Sequence, residues 1–265
     1  MSAPPAGIRP ARRQVAKAKG PARANAQKAA GQKYNIWYGK YEGPTPPREQ
    51  SATRCSIAND AGWTRGAADP QAWICYKFAQ GKCPSGEACP NLHSLPEGDF
   101  AAGLPTGKDC FGRDRFATDR EDHGGVGSFD KDPETQRTLY VGGLPARRDV
   151  DKAVQAQFGE WGVLERVHVR HGGGSAFVQY RHRASAEFAK IAMAEQSLYG
   201  GDLLNVRWAE ADPNPRAIKR KKIAHTAALV SVVQQQVDAD LEAQIAAAAA
   251  EMTADAAAAA AAATA

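Results

Sequence analysis

The sequence predicts an α+β protein with a small βαββαβ domain and a loop-rich region that binds a metal. Within residues 138–209, short runs of β-branched and aromatic residues alternate with segments whose apolar residues recur at helical spacing. Residues 74–93 hold three of the chain's five cysteines and end on a histidine. All five tryptophans lie between residues 34 and 211, which indicates that this part of the chain contains the globular cores.

Both ends of the chain have compositions that do not support a core, and the tails are predicted to be disordered or helical. Residues 1–33 carry eight lysines and arginines and no acidic residue, which is typical of a disordered basic arm. Residues 212–265 are predicted to form a helical tail that ends in low-complexity alanine sequence. The tail also has apolar positions that indicate a surface for a partner helix, namely Ile223, Ala227, Val230 and Val233.

The charge and the apolar pattern limit the partners and the compartment. A net charge of +5 favours acidic partners only slightly. The sequence has no run of about 18 apolar residues and no apolar signal-peptide segment, so no membrane partner is predicted and a reducing intracellular compartment is expected. Clustered cysteines in such a compartment are typically metal ligands. Cys55 and Cys110 have no partner at ligand spacing and are predicted to be buried.

Four residues have the spacing of a metal site. Cys75, Cys83, Cys89 and His93 form the pattern C-x7-C-x5-C-x3-H, which supplies the four ligands of a closed, tetrahedral zinc site. A redox site would need a C-x-x-C pair, which the sequence lacks, and the remaining alternative is chance clustering. Because four protein ligands leave no position for water, one structural Zn²⁺ is predicted rather than a catalytic one.

The βαββαβ order is built from six segments. The runs TLYVGGL at 138–144 and GGSAFVQY at 173–180 are predicted strands. The other predicted strands are marked by the alternation of Val167 with Val169 and by LLNVRWA at 203–209. The two predicted helices have apolar residues at helical spacing, namely Val150, Val154 and Phe158 in the first and Phe188, Ile191 and Ala192 in the second.

Alternation along the strands predicts which side chains face solvent. If Leu139 and Val141 are buried, Tyr140 lies on the open face of the sheet, and Phe177 lies there by the same rule. Two aromatic rings surrounded by cations form a stacking platform for RNA, although some sheets of this kind bind protein instead. The polar residues predicted to share this face are Gln179, Arg166, His168, Arg170, Asn205 and Arg207.

The metal-ligand spacing resembles the CCCH zinc-finger family, and the βαββαβ segment resembles an RNA recognition motif. In the finger, this resemblance implies that a set of side chains contacts single-stranded RNA, namely Tyr76, Lys77, Phe78 and Lys82. The alternative is that the aromatic residue is structural and the lysines are solvated. Asn91 and Ser175 occupy positions where each family usually has an aromatic residue, so weaker RNA binding is expected from each module alone.

Three further stretches resemble fungal pre-mRNA-splicing factors of the NineTeen complex that contact U6 snRNA. These stretches are YNIWYGKYEG at 34–43, the segment at 109–129 and LNVRWAEADPNP at 204–215. The resemblance implies a torus-like domain at 34–130, with a CCCH finger at 69–96 and a connector at 109–130, packed on an RNA recognition motif at 136–211. It also implies RNA contact by connector residues Phe111, Arg113, Arg115 and Phe116, although the two arginines could instead brace the domain junction.

The same resemblance implies a nuclear RNA-binding scaffold rather than an enzyme. Its partners would be U6 snRNA, the pre-mRNA intron and spliceosomal proteins of the NineTeen complex, with the chain present as a monomer in a large assembly. A CCCH protein of messenger RNA decay, export or processing is the rival function. A nuclease would need clustered carboxylates or histidines, and the densest candidate lacks metal-like spacing: Asp119, Glu121, Asp122 and His123.

Overall fold

The computed structural model describes residues 9–16, 31–37, 40–43, 49–116, 126–127, 135–170 and 172–210, together with part of 215–244. The chain divides into two compact units, Met1–Glu210 and Ala211–Ala265. The acidic and histidine cluster at 119–123 lies outside the described residues.

The N-terminal part of the first unit has little regular structure, as the sequence predicts. Strands β1 (Tyr34–Asn35) and β2 (Lys40–Tyr41) pair antiparallel, and β3 (Arg115–Phe116) pairs parallel with β4 (Val126–Gly127). The remaining elements are one-turn helices: α1 (Ile57–Asp60), α2 (Tyr76–Ala79), α3 (Gly98–Ala102) and the 3₁₀ turns Arg65–Ala68 and Gly86–Ala88. Such short elements expose many backbone groups, so the region needs other stabilising contacts.

Residues 135–210 form a four-stranded antiparallel sheet with two helices. The elements are a 3₁₀ turn at Thr135–Arg137, β5 (Thr138–Gly142), α4 (Val150–Gly159), β6 (Leu164–Arg170), β7 (Ser175–Tyr180), α5 (Arg183–Ala192) and β8 (Asn205–Trp208). The strand order is β6-β7-β5-β8. A βαββαβ chain with its first and third strands in the centre has the fold of an RNA recognition motif, which confirms the predicted fold class.

The alternation along the strands also matches the sequence prediction. Leu139, Val141, Ala176 and Val178 are all 0% exposed, and they share the core with Phe158 of α4. Because the helices cover this face, the neighbouring side chains along β5 and β7 lie on the opposite, open face.

The N-terminal region and the sheet domain share one core at helix α5. The Phe188 ring lies 6.0 Å from the Phe78 ring, 6.1 Å from Phe111 and 5.6 Å from Trp161. Phe78 and Phe111 belong to the N-terminal region, whereas Trp161 belongs to the sheet domain. The two parts therefore pack directly on each other, as the resemblance implies.

Residues 9–16 correct the predicted disordered arm. Ala11 is 6% exposed, and its N–H donates to the Trp63 carbonyl at 2.8 Å. Pro10 also forms a parallel bridge with Trp63. Composition did not reveal this ordering because the segment packs through backbone hydrogen bonds and small residues rather than through an apolar run.

The second unit is helical in its described residues between 215 and 244. These residues are exposed, including large apolar side chains at Ile223, Val230, Val233, Val237 and Leu241. Among the helices that the structure describes, none has the length and apolar character needed to cross a membrane.

Candidate metal centre and nucleic-acid interface

The four predicted ligands form one buried cluster. The ligand atoms of Cys75, Cys83, Cys89 and His93 all lie within 4.8 Å of one another, and every one of these residues is at most 4% exposed. Neither ring nitrogen of His93 has a hydrogen-bond partner in the described part of the chain. Leaving buried polar nitrogens unpaired is costly, whereas coordination would satisfy one of them. The donor set therefore fits a metal ion.

Short turns bring the ligands together. Cys75 caps α2, where its Sγ accepts a hydrogen bond from the Phe78 N–H at 3.4 Å. Gly81 follows α2 with a φ of +70°, and a Cβ at this position would lie 2.6 Å from the Arg54 backbone. Only glycine adopts this conformation readily and also leaves room for the neighbouring backbone. The turn returns the chain so that Cys83 faces Cys75.

The ligand groups affect one another's protonation, since the contact between Cys75 and Cys83 raises the pKa of the Cys75 thiol. Hydrogen bonds with Cys75 and then Cys89 lower the pKa of the Cys83 thiol far below its usual value. Burial lowers the pKa of His93, but the adjacent sulfurs of Cys83 and Cys89 outweigh it and raise that pKa to about 9. Because the thiolate is the form that binds metals, binding must compete with protons and weaken at low pH.

Phe78 was predicted to contact RNA, and the structure shows that this prediction is wrong. Its side chain is 0% exposed, and its ring stacks on His93 with 4.6 Å between centroids and 11° between planes. The alternative reading, that Phe78 is structural, is therefore correct. Of the other predicted finger residues, Lys77 is exposed, whereas Tyr76 and Lys82 are half-buried.

The open face of the sheet carries a row of four side chains, one from each strand. The register places Tyr140 opposite Phe177 and Arg207, and it places His168 opposite Phe177. The rings of Tyr140 and Phe177 are 5.7 Å apart with an interplanar angle of 68°, and both residues are half-buried. The row therefore has two accessible aromatic rings at its centre and a basic side chain at each end.

The other predicted residues of this face lie beside that row. Gln179 pairs with Arg166, and Asn205 accepts a hydrogen bond from Arg207 Nε at 3.1 Å. Arg170 is exposed and pairs with Ser175, which is 2% exposed. The Tyr140 ring lies over Gly142, where a Cβ would approach it to 3.0 Å. Ser175 lies where the RNA recognition motif usually has an aromatic residue, so the face has no third ring at this position.

In the connector, the two arginines have different surroundings. Arg113 donates from Nε to Asp109 Oδ2 at 2.7 Å and lies 4.7 Å from the Tyr76 ring centroid and 5.1 Å from that of Phe111. Arg115 has a side chain that is 0% exposed, and its Nε lies 3.4 Å from Glu187 Oε1. Arg115 therefore braces the junction between the two parts, and its predicted RNA contact is wrong. Phe111 and Phe116 are half-buried.

Comparison with known proteins identifies a matching domain and several similar proteins. The model of the Torus domain matches residues 6–113. The pre-mRNA-splicing factor cwc2 of Aspergillus fumigatus is 40% identical over 242 residues, which are 89% of this chain and 57% of that protein. The factor cwf2 of Schizosaccharomyces pombe is 43% identical over 198 residues, which are 72% of this chain and 50% of that protein. Over most of its length, the chain is similar to these cwc2 and cwf2 splicing factors.

The Torus match begins within the predicted basic arm, in agreement with the ordered residues 9–16. A cwc2 protein of Dictyostelium discoideum is 45% identical over 70% of this chain, so the likeness extends beyond fungi. The chain spans about half the length of the first two relatives. Among solved structures, the Nab3 RNA recognition motif is 16% identical with a TM-score of 0.27, covering 29% of this chain and 99% of that one.

The structure also reveals a candidate that sequence reasoning missed. Trp37, at the turn between β1 and β2 of the Torus domain, is 88% exposed, and the adjacent Ile36 is 72% exposed. The Trp37 N–H donates to Asn35 Oδ1 at 3.0 Å, which fixes the turn. The aromatic-rich stretch YNIWYGKYEG could have indicated an exposed aromatic side chain here.

Glu187 completes the junction between the Torus domain and the sheet domain. Its Oε2 accepts from the Cys110 N–H at 2.8 Å, while Oε1 lies 3.4 Å from Arg115 Nε and 3.5 Å from Arg183 Nε. Burial raises the pKa of Glu187 from 4.5 to about 7, although Arg183 opposes the shift. Asp109, which is also buried, acts in the same direction as burial.

This shift predicts a pH dependence of stability. Between pH 4.5 and 7 the folded state binds more protons at Glu187 than the unfolded chain does, so the free energy of unfolding should fall as the pH rises. Glu187→Gln should lack this contribution. Urea unfolding of both proteins at pH 5 and pH 7.5 tests the prediction. A stability difference that does not change with pH would contradict it.

Proposed function

We propose that this chain is an RNA-binding scaffold in pre-mRNA splicing that contacts U6 snRNA and intron RNA in the active spliceosome. It would act in the nucleus, as one copy among spliceosomal proteins of the NineTeen complex. The names of its relatives support a role in splicing. Because the chain spans about half of their length, these functions are proposed for this chain and not transferred.

The row of Arg207, Tyr140, Phe177 and His168 is the observation that carries the proposal. Accessible aromatic rings can stack on unpaired bases, and the flanking arginine can bind phosphates. In the Torus domain, Lys77 of the finger and Trp37 are exposed and are further candidates for RNA contact. An RNA that reached both modules would bind more tightly than the incomplete sheet alone allows, because the shared core fixes the modules together.

We also propose that the buried cluster holds one structural Zn²⁺. The ion would be held by Cys75, Cys83, Cys89 and His93. Its binding would stabilise the folded finger. Three thiolates and one imidazole match the usual tetrahedral ligand set of zinc. With four protein ligands, no coordination position remains for a reacting water, which supports a structural role.

The proposal gives the protein a non-catalytic role. It assigns catalysis to the RNA and places the protein beside it.

Crosslinking in nuclear extract tests the function. The tagged full chain is irradiated in extract, purified under denaturing conditions, and its attached RNA is sequenced. Enrichment of U6 snRNA and intron sequence over polyadenylated RNA is expected. Enrichment of mature messenger RNA without U6 would favour the rival function in messenger RNA decay, export or processing.

Substitutions on the open face should separate binding from stability. Tyr140→Ala and Phe177→Ala should each weaken single-stranded RNA binding by about 1–3 kcal/mol through loss of base stacking. Their melting temperatures should change little, because neither ring lies in the core. Fluorescence anisotropy titrations and thermal melts measure the two effects.

Val178→Ala is the matched control on the same strand. Val178 is 0% exposed on the core side, so its truncation should lower the melting temperature and leave the affinity of the folded protein unchanged. Unfolding caused by Tyr140→Ala would show that the assignment of the two faces is incorrect.

A further inference from the structure

We propose that Gln14 is a positioning residue for the metal site and that residues 9–16, here called the N-terminal clip, hold one ligand loop closed around the ion. The predicted disordered arm gave no reason to expect this role. The proposal concerns retention of the metal and is independent of which RNA the protein binds.

Backbone hydrogen bonds dock the clip on the Torus domain at two points. The first is Trp63, whose N–H donates to the Arg9 carbonyl at 2.8 Å and whose carbonyl accepts from Ala11 at 2.8 Å. The second is the metal ligand Cys83, whose carbonyl accepts from the Gln14 N–H at 2.9 Å. The clip therefore runs from the turn before the finger to the second ligand.

The Gln14 side chain completes the connection to Cys83. Its Oε1 accepts from the Cys83 N–H at 2.9 Å, so both backbone groups of this ligand pair with Gln14. Its Nε2 donates to Asp60 Oδ2 at 2.9 Å and to the Phe78 carbonyl at 3.2 Å. One amide thus connects the Cys83 loop to helix α2, which begins after Cys75, and to helix α1.

Asp60 is the anchor behind this amide. The residue is 1% exposed and also accepts from Arg12 Nε at 2.7 Å and from the Ser56 N–H at 3.0 Å. Burial raises the pKa of Asp60, but hydrogen bonds from Gln14, Ser56 and Arg12 lower it below the usual value. The carboxylate is therefore charged at neutral pH and strengthens the hydrogen bond from Gln14.

Glycines on the Torus domain leave room for the clip. A Cβ at Gly62 would lie 2.4 Å from the Arg9 carbonyl oxygen, and a Cβ at Gly86 would lie 2.9 Å from the Arg13 nitrogen. Gly86 also has a φ of +54°, within the turn between Cys83 and Cys89. The clip is therefore packed against the ligand turn itself.

The other ligands depend less on the clip. The Cys75 N–H donates to the Leu92 carbonyl at 2.9 Å, the His93 carbonyl accepts from Gly62 at 3.0 Å, and the Cys89 carbonyl accepts from Gly66 at 3.0 Å. These partners all lie between Gly62 and Leu92, in the finger or shortly before it. Cys83 instead pairs with Gln14, 69 residues earlier in the chain, so loss of Gln14 should open the site at this ligand first.

Metal release from the full chain tests the proposal. The protein is loaded with zinc, and transfer of the ion to a chromogenic chelator is followed by absorbance. Gln14→Ala should weaken zinc binding about 10–100-fold, the usual effect of removing a group that orients a metal ligand, and should therefore release zinc faster than wild type. Gln14→Glu should also release it faster, because its carboxylate would face Asp60 and the Phe78 carbonyl.

Arg13→Ala is the control, since it truncates an exposed neighbour in the same clip and should release zinc at the wild-type rate. Equal rates for Gln14→Ala, Gln14→Glu and Arg13→Ala would overturn the proposal. Hydrogen exchange of the wild-type protein decides the matter even if a variant fails to fold. The Cys83 amide should be as protected as the Cys75 amide, and rapid exchange at Cys83 would equally overturn the proposal.

Discussion

Cys83→Ala should release the metal and unfold the Torus domain. The structure gives this domain one-turn helices and two-residue strands in its described part, so regular backbone hydrogen bonding contributes little. Metal binding supplies about 10–16 kcal/mol in zinc-finger peptides, which is as large as the whole stability of a typical domain, about 5–15 kcal/mol. Metal analysis and a thermal melt followed by circular dichroism measure the result.

Cys110→Ala is the matched control for this prediction. Cys110 is also buried, at 0% exposed, and burial raises the pKa of its thiol well above the usual value, so it remains protonated. Its truncation should cost about 0.5–3 kcal/mol and leave the metal content unchanged. A Cys83→Ala protein that keeps stoichiometric metal and melts like the control would refute the assigned ligand set.

Glu187→Ala should lower the free energy of unfolding by about 3–5 kcal/mol, the usual effect of removing one partner from a buried ion pair. The substitution leaves Arg115 without its carboxylate, although the Arg115 side chain is 0% exposed. It also leaves the Cys110 N–H without its acceptor. Urea unfolding at pH 7.5 measures the loss.

Two control variants separate the causes of the stability loss in Glu187→Ala. Glu165→Ala removes a carboxylate that pairs with Arg137 but is 40% exposed, so it should cost at most about 1 kcal/mol. Glu187→Gln keeps an oxygen that can accept from Cys110, and it should cost less than Glu187→Ala. If Glu187→Ala and Glu165→Ala were equally destabilising, the buried position of the Glu187 pair would have no special effect.

Much of the sheet domain could be predicted from sequence. Residues such as Leu139, Tyr140 and Val141 alternate strictly, and period two assigns each to a face without further information. The metal ligands could also be predicted from sequence, because they lie close together in the chain and few other sites use this set of residues. The prediction of a buried four-residue cluster is confirmed by the geometry of the ligand atoms.

Contacts between distant segments could not be predicted in this way. For Phe78, RNA contact and a structural role both remained open, because the sequence does not show that Phe188, more than 100 residues later, packs near its ring. Arg115 was left open between RNA and bracing for the same reason, since Glu187 is its distant partner. Gln14 lies in a segment without an apolar run, and its hydrogen bonds to Cys83 cannot be inferred from composition.

The position of Phe188 has a consequence for how this architecture can evolve. One ring contributes to the interior of two domains, since it contacts Phe78 and Phe111 on one side and Trp161 on the other. A recombination that exchanged the sheet domain for an unrelated copy of the same fold would uncover the aromatic side of the finger. Inheritance of the two domains should therefore be joint, with compensating changes at residues 78, 111 and 188 rather than free shuffling of modules.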